Sequence, residues 1–188
     1  LYLPGLAAIP VLDRDEARFA QASRQMLETG DFLDIRFQDE ARNNKPAGIY
    51  WLQAASVGAL SAARATAIWP YRLPSLLGAT LAVLLTFGCG RVLLGEARGA
   101  MIAAVLLAAA LGTVAEAHIA KTDAALLAAG TGGQGALGLV YLRARIGGRA
   151  GPGIATAFWV AEIAAIALKG PIGPGLAALT AATLSIAD

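Results

Sequence analysis

Beyond residue 70, four stretches of this chain run for 17 to 19 residues without one acidic or basic side chain: residues 73–90, 99–115, 124–142 and 170–187. A bilayer's hydrocarbon core is about 30 Å thick and takes roughly 20 apolar helical residues to cross. Only a segment that satisfies its own backbone hydrogen bonds can make that crossing. The windows therefore predict spanning helices over about 72–94, 99–117, 123–142 and 171–188, and a fifth over 151–168, where Glu162 interrupts an otherwise apolar run. Composition agrees, with 57% hydrophobic and 15% charged residues against roughly 45–50% and about 25% for a soluble domain.

Charge placement divides the chain. Residues 13–45 hold 8 acids and 6 bases, half of its 28 charged residues, which reads as one hydrated loop preceding a membrane bundle. A net charge of +2 supplies no basic field for a nucleic-acid backbone. The single Cys89 excludes an internal disulfide and reads as a small packed side chain. The chain opens on Leu1-Tyr2-Leu3-Pro4-Gly5-Leu6 without an initiator Met and stops in an apolar run. We therefore expect an N-terminal fragment whose residues 1–10 are the exit end of a first transmembrane helix, with 11–71 an outer loop and 72–188 the helical bundle.

Residues 46–63 are uncharged for 18 positions yet carry Gln53, Ser56 and Ser61, with Tyr50 and Trp51 near their start. If they lie along the interface, Arg91, Arg98, Arg143, Arg145 and Arg149 all fall on one face, as the positive-inside tendency favours. Asp15, Lys45, Asp123 and Lys169 then share the other. If the segment spans, both groups are split. The arginine count and the Tyr/Trp pair favour the interfacial alternative.

The loop begins Asp13-Arg14-Asp15-Glu16-Ala17-Arg18-Phe19-Ala20 and continues to Gly30-Asp31. Its acids suit the positive end of a helix dipole, and solvated helix-surface partners are a sufficient account of them. In Lys45-Pro46-Ala47-Gly48-Ile49-Tyr50-Trp51-Leu52 the cation directly precedes an apolar helix, where an ordinary snorkelling anchor would sit.

Together with Arg72-Leu73-Pro74-Ser75, Gly90-Arg91, Asp123 and Leu168-Lys169-Gly170-Pro171, these segments resemble in order and spacing the bacterial aminoarabinose transferase and protein O-mannosyltransferase superfamily of polyprenyl-phosphate-dependent glycosyltransferases. The resemblance implies an all-α, GT-C type, polytopic membrane helix bundle whose periplasmic first loop carries juxtamembrane helices. It implies a glycosyltransferase of the bacterial inner membrane, active on its periplasmic face. The donor would be a polyprenyl-phosphate-linked sugar and the acceptor lipid A, another glycolipid or a protein. Asp15 matches the catalytic carboxylate, with Glu16 in the same motif and Asp123 as a second outer acid. Lys45 matches the position that contacts the donor phosphate, and Arg18, Tyr50 and Lys169 are expected to bind substrate. No metal-ligand cluster or cofactor motif is evident in the sequence. Phe19, Asn44 and Ala47 depart from the commonest family residues, which bears on the acceptor rather than on Asp15 or Lys45.

Gly130-Thr131-Gly132-Gly133-Gln134-Gly135 matches a dinucleotide pattern on paper, but without a preceding strand it reads as helix packing or a kink. His118, without Cys or a second His nearby, reads as a polar interfacial residue. Glu162 is expected to face the bundle, because a lipid-facing carboxylate at the bilayer centre costs about 2.5–3.5 kcal/mol on insertion scales. Two other classes remain: a multi-pass transporter or lipid flippase, which would place its polar groups near the midplane of a repeated fold, and a noncatalytic scaffold.

Overall fold

The computed structural model describes residues 1–42, 45–60 and 67–187. Asn44, Ser61 and the remainder of the 46–63 segment to residue 63, and the terminal Asp188, lie outside the described residues. The first helix, α1, spans Arg14–Thr29; the Asp13 side chain caps it, accepting from the backbone N–H of Asp15 at 2.7 Å and Glu16 at 3.2 Å. Phe19, Ala22, Ser23 and Met26, at helical spacing, bury one face. Gly30, at φ 73°, ends the helix where a side chain would be strained. A two-residue hairpin follows, β1 (Arg36–Phe37) against β2 (Glu40–Ala41), with Arg36 opposite Ala41.

Helix α2, Gly48–Ala59, has 12 residues. At 1.5 Å per residue this is roughly 18 Å, too short for the hydrocarbon core. It packs instead against α1, against the start of α3 (Trp69–Leu93) and against α7 (Pro152–Lys169). The remaining helices are α4 (Ala97–Ala109), α5 (Leu111–Ala117), α6 (Asp123–Arg145) and α8 (Ile172–Ala187).

Of the five expected spans, α3, α6 and α7 are long and apolar enough to cross a membrane as single helices. The expected span over 99–117 is broken: α4 and α5 meet at 59°, where Ala110 adopts φ −60°, ψ 128° and leaves the helix. Nothing in Ala108-Ala109-Ala110 marks that break, since the run holds neither Pro nor Gly. The described α8, with 16 residues, is apolar but shorter. Residues 1–10, expected as a helix end, make turns around Gly5 at φ 87°, with Ile9 donating to the Gly5 carbonyl at 2.9 Å.

Helix α3 is the axis of the bundle, packed on α4 and α6. The helices approach through small residues, the packing mode of membranes. A Cβ at Gly78 would lie 2.7 Å from the backbone of Ala125, and one at Gly135 would run into the Cys89 sulfur. Cys89 is thus a packed side chain, and the 130–135 run lies wholly inside α6, so the dinucleotide pattern carries no phosphate loop. Glu162 faces the bundle and is buried where Gly133 of α6 and Gly173 of α8 leave room for its carboxyl group.

The direction of each helix brings the starts of α3 and α6, the end of α7, α1 and α2 to one end. Arg91, Arg98, Arg143 and Arg145 lie at the other, with Arg149 in the adjoining loop. Gly78→Ala is expected to lower stability by about 1–3 kcal/mol through overpacking, whereas Gly130→Ala, with open space at its Cβ, is expected to be neutral or mildly stabilising. Thermal unfolding of both variants in the same detergent measures the difference.

Candidate functional site

At the end where α1 and α2 lie, two ionic systems are built from residues distant in sequence. The deeper one joins Glu16 of α1 to Arg72 of α3, whose side chains are 2% and 1% exposed. Arg72 Nε donates to Glu16 Oε1 at 2.7 Å, and Nη2 donates to Oε2 at 3.1 Å. The other guanidinium donors reach the carbonyls of Leu6 and Ile9 at 2.8 Å each and Pro10 at 3.4 Å. Glu16 Oε1 also accepts the Ala120 N–H at 2.9 Å. Glu16, expected among the catalytic acids, is therefore fully engaged inside the protein.

The second system lies nearer the surface. Lys121, between α5 and α6, donates to Asp13 Oδ2 at 2.5 Å. Lys169, at the end of α7, is hydrogen-bonded to Asp123 at the start of α6. The Lys121 hydrogen bond holds the Asp13 carboxyl below its ordinary value; burial opposes this, and the N–H groups of Glu16 and Asp15 add to the lowering. For Lys121, burial pulls downward, but the hydrogen bond to Asp13 and the charges of Asp13, Glu116 and Asp15 outweigh it and leave the ammonium above its ordinary value. Glu116 of α5 shares a pocket of about 280 Å³ with Asp123 and Thr113; one of its oxygens is buried without a hydrogen-bond partner among the described residues.

Asp15 differs from both acidic neighbours. Its side chain is 53% exposed, and its ion pair is a 3.8 Å approach from Arg18. It is close enough to Lys121 and Tyr50 to act on the ionisation of both. Lys45 is half-buried beside α2 and has no ion-pair partner among the described residues. Tyr50 is completely buried. Its hydroxyl accepts from Arg42 Nε at 2.7 Å, Arg42 stacks 5.2 Å above the Phe19 ring, and burial pushes the phenol's pKa up, with Arg42 partly opposing it. Tyr50 can thus reach a ligand only through Arg42.

Of the residues singled out in the sequence, the structure joins Asp123 to Lys169 and Asp15 to Arg18, and seats all seven at one end of the bundle. Sequence reasoning gave no role to Lys121, Arg42 or Glu116, and Asp13 and Arg72 were noticed only as parts of motifs. The cap position of Asp13 was the one available signal. His118 ties residues 1–10 to α5: its Nδ1 lies 2.7 Å from the Val114 carbonyl and its Nε2 2.9 Å from that of Pro4. Among the described residues, no group of three or more His, Cys, Asp or Glu could hold a metal ion.

Below this charged end lie two apolar grooves. One, of about 710 Å³, opens between α2, α3, α6 and α7 and is walled by Leu52, Leu77, Leu81, Ala128 and Val160 among others. The other, of about 770 Å³, lies between α3, α4, α6 and α8 and has Asp123 on its wall.

An all-α membrane bundle with a charged cap of short helices at one end is the architecture of the GT-C fold, and the comparisons agree. The chain is similar to the crystal structure of ArnT, an aminoarabinose transferase of GT-C fold, from Cupriavidus metallidurans in the apo state, with a TM-score of 0.78, 27% identity, and coverage of 92% of this chain and 32% of that one. The structure of ArnT from Cupriavidus metallidurans bound to undecaprenyl phosphate gives a TM-score of 0.80 at 24% identity, over 93% and 31%. The chain thus spans about a third of the length of the structures it matches. No protein-family model and no curated protein matches it.

Two expectations follow. Asp13→Asn keeps a good helix cap but loses the charge paired with Lys121. The native pair contributes stability that is lost as pH falls below 3.8 through the lowered carboxyl value, and again as pH rises above 10.5 through the raised ammonium value. Unfolding midpoints measured against pH should accordingly fall towards acid less steeply in Asp13→Asn than in the native protein. Asp13→Ala should cost about 1 kcal/mol more than Asp13→Asn at pH 7, through the lost cap. For the buried pair, Glu16→Leu or Arg72→Met alone should each cost about 3–5 kcal/mol, while the Glu16→Leu/Arg72→Met double variant should cost less than the sum. Thermal unfolding of the three variants closes that cycle, and additive losses would show the two residues to be independent.

Proposed function

We propose that this chain belongs to an integral-membrane glycosyltransferase that moves a sugar from a polyprenyl-phosphate donor to lipid A, another envelope glycolipid or a protein, at the periplasmic face of the inner membrane. The observation that supports this most directly is the placement of exposed Asp15 and half-buried Lys45 at one charged end, above apolar grooves, in a fold similar to ArnT. A polyprenyl phosphate demands such a division, with an apolar channel for the chain and a cation for the phosphate at the mouth. ArnT has been crystallised with undecaprenyl phosphate.

In the reaction we propose, Asp15 accepts the proton of the acceptor hydroxyl as that oxygen attacks the anomeric carbon. The bond from that carbon to the phosphate oxygen breaks, the polyprenyl phosphate leaves with the electron pair, and the configuration inverts. General-base assistance of this kind contributes about 10²–10⁴-fold. Lys45 stabilises the charge that develops on the phosphate, an effect strengthened where water is scarce. Arg18 orients Asp15, the Asp123–Lys169 pair borders the sugar, and Tyr50 acts by holding Arg42. Glu16 acts as a positioning residue, fixing the turn of α1 that carries Asp15.

The test is mass spectrometry of envelope glycolipids and glycoproteins from cells carrying the full-length gene, native or Asp15→Asn, at matched protein abundance. One glycan should fall by about 10²-fold or more, with its polyprenyl-phosphate sugar accumulating, and Lys45→Ala should act in the same direction. An unchanged profile in Asp15→Asn removes Asp15 from the reaction.

A further inference from the structure

The turn after α1 presents apolar side chains outward in a fixed conformation. Gly30 ends the helix at φ 73°, and Asp31 Oδ1 then accepts the backbone N–H groups of Leu33 at 2.9 Å and Asp34 at 3.0 Å. Phe32 and Leu33, held at the tip, are 44% and 86% exposed. Trp51, in the first turn of α2, is 46% exposed and donates its indole N–H to the Phe32 carbonyl at 2.8 Å. Single exposed apolar residues need no explanation, but here Trp51 is tied to the turn through the Phe32 carbonyl, and Asp31 holds the turn that carries Phe32 and Leu33. Leu52, next to Trp51, lies on the wall of the apolar groove between α2, α3, α6 and α7. Through Leu52 the patch adjoins that groove. Its acidic flanks are engaged: Asp34 pairs with Arg36 at 3.2 Å, and Asp31 is occupied by the turn.

We propose that Phe32, Leu33 and Trp51 form a membrane anchor, a patch seated in the boundary between headgroups and acyl chains at the end of the bundle where α1 and α2 lie. Its partner is the lipid surface itself. An indole whose ring is apolar and whose N–H is satisfied by a carbonyl suits that boundary, and a rigid turn delivers Phe32 and Leu33 without an ordering cost. The anchor fixes the C-terminal end of α1 relative to the bilayer, while Glu16 and Arg72 fix its N-terminal end to α3. Helix α1 is thereby held at a set height, and Asp15 with it.

The experiment uses the full-length protein in phosphatidylcholine nanodiscs, with native cysteines replaced, Cys89→Ala among them, and a nitroxide spin label attached at Leu33→Cys. Labels at Asp39→Cys, in the exposed hairpin turn, and at Leu84→Cys, on the outward face of α3, give the aqueous and lipid references. Collision rates with molecular oxygen and with a water-soluble nickel chelate report the position of each label. The Leu33 label should show an oxygen-to-nickel ratio several-fold above that at Asp39, corresponding to a depth of about 5–10 Å in the boundary. A ratio equal to that at Asp39 places the turn in water and overturns the anchor. Low collision with both reagents places it under protein, another segment or a second copy, and overturns it equally. Because a label can disturb the turn, Trp51 emission is measured with brominated phosphatidylcholine in a protein whose other tryptophans are replaced by Phe, Trp69→Phe and Trp159→Phe among them. Quenching that falls when Phe32→Ser and Leu33→Ser are added supports the anchor, and absence of quenching refutes it.

Discussion

Arg72 sits in the first turn of α3 with 1% of its side chain exposed, and it carries a guanidinium cation into the interior. A cation so placed is tolerated only if the surrounding groups replace the water it has lost. Here all of its N–H donors are taken: two by the Glu16 carboxylate and three by carbonyls of the chain between Leu6 and Pro10. Glu16 in turn accepts the N–H of Ala120. One ion pair therefore fastens the N-terminal turns, α1, α3 and the junction before α6. The Glu16–Ala120 hydrogen bond alone joins residues 104 positions apart in the sequence, and no apolar contact would fix the relative rotation of these segments so closely.

This clamp also explains how adjacent acids come to differ. Successive helical residues point about 100° apart, so when Glu16 turns inward to Arg72, Asp15 is carried round to the solvent side, where it is 53% exposed. Asp13, just before the helix, spends one oxygen on the cap and the other on Lys121. Three acids within four positions thus become a cap, an exposed carboxylate and a buried partner. A carboxylate that is to take a proton from an acceptor must be reachable and unspent, which among these three describes Asp15.

The pattern of charge-free windows made the helical bundle legible, and the acid-rich opening marked off the polar segment that carries α1, β1 and β2, because burial in lipid or water acts on composition directly. The described α2 has 12 residues, fewer than a span needs, which favours the interfacial alternative that the uncharged 46–63 run had left open. The break at Ala110 was not legible, since an alanine-rich run keeps full helical propensity and the bend is imposed by tertiary packing. The partners in the site were hidden for a related reason. Asp13 and Lys121 lie 108 positions apart, and neither carries a local sign of the other. Glu16 looked like a second catalytic acid because a motif reports which residues recur together, without saying which of them points inward.

The two ends of the bundle differ in how their charges are balanced. At the end of α1 and α2, Asp13, Glu16 and Asp123 each face a cation, Lys121, Arg72 and Lys169 respectively. At the other end, Arg91, Arg98, Arg143, Arg145 and Arg149 outnumber the acids of the described residues, where the adjoining loops contribute Glu96. An excess of arginine in short loops favours retention on the cytoplasmic side, so the balanced end favours the outer one. The proposed transfer reaction would account for the same asymmetry. Loops that serve only to orient a membrane protein carry their charge as a surplus, whereas a surface that handles a phosphate-linked sugar needs its acids and bases matched and held in place.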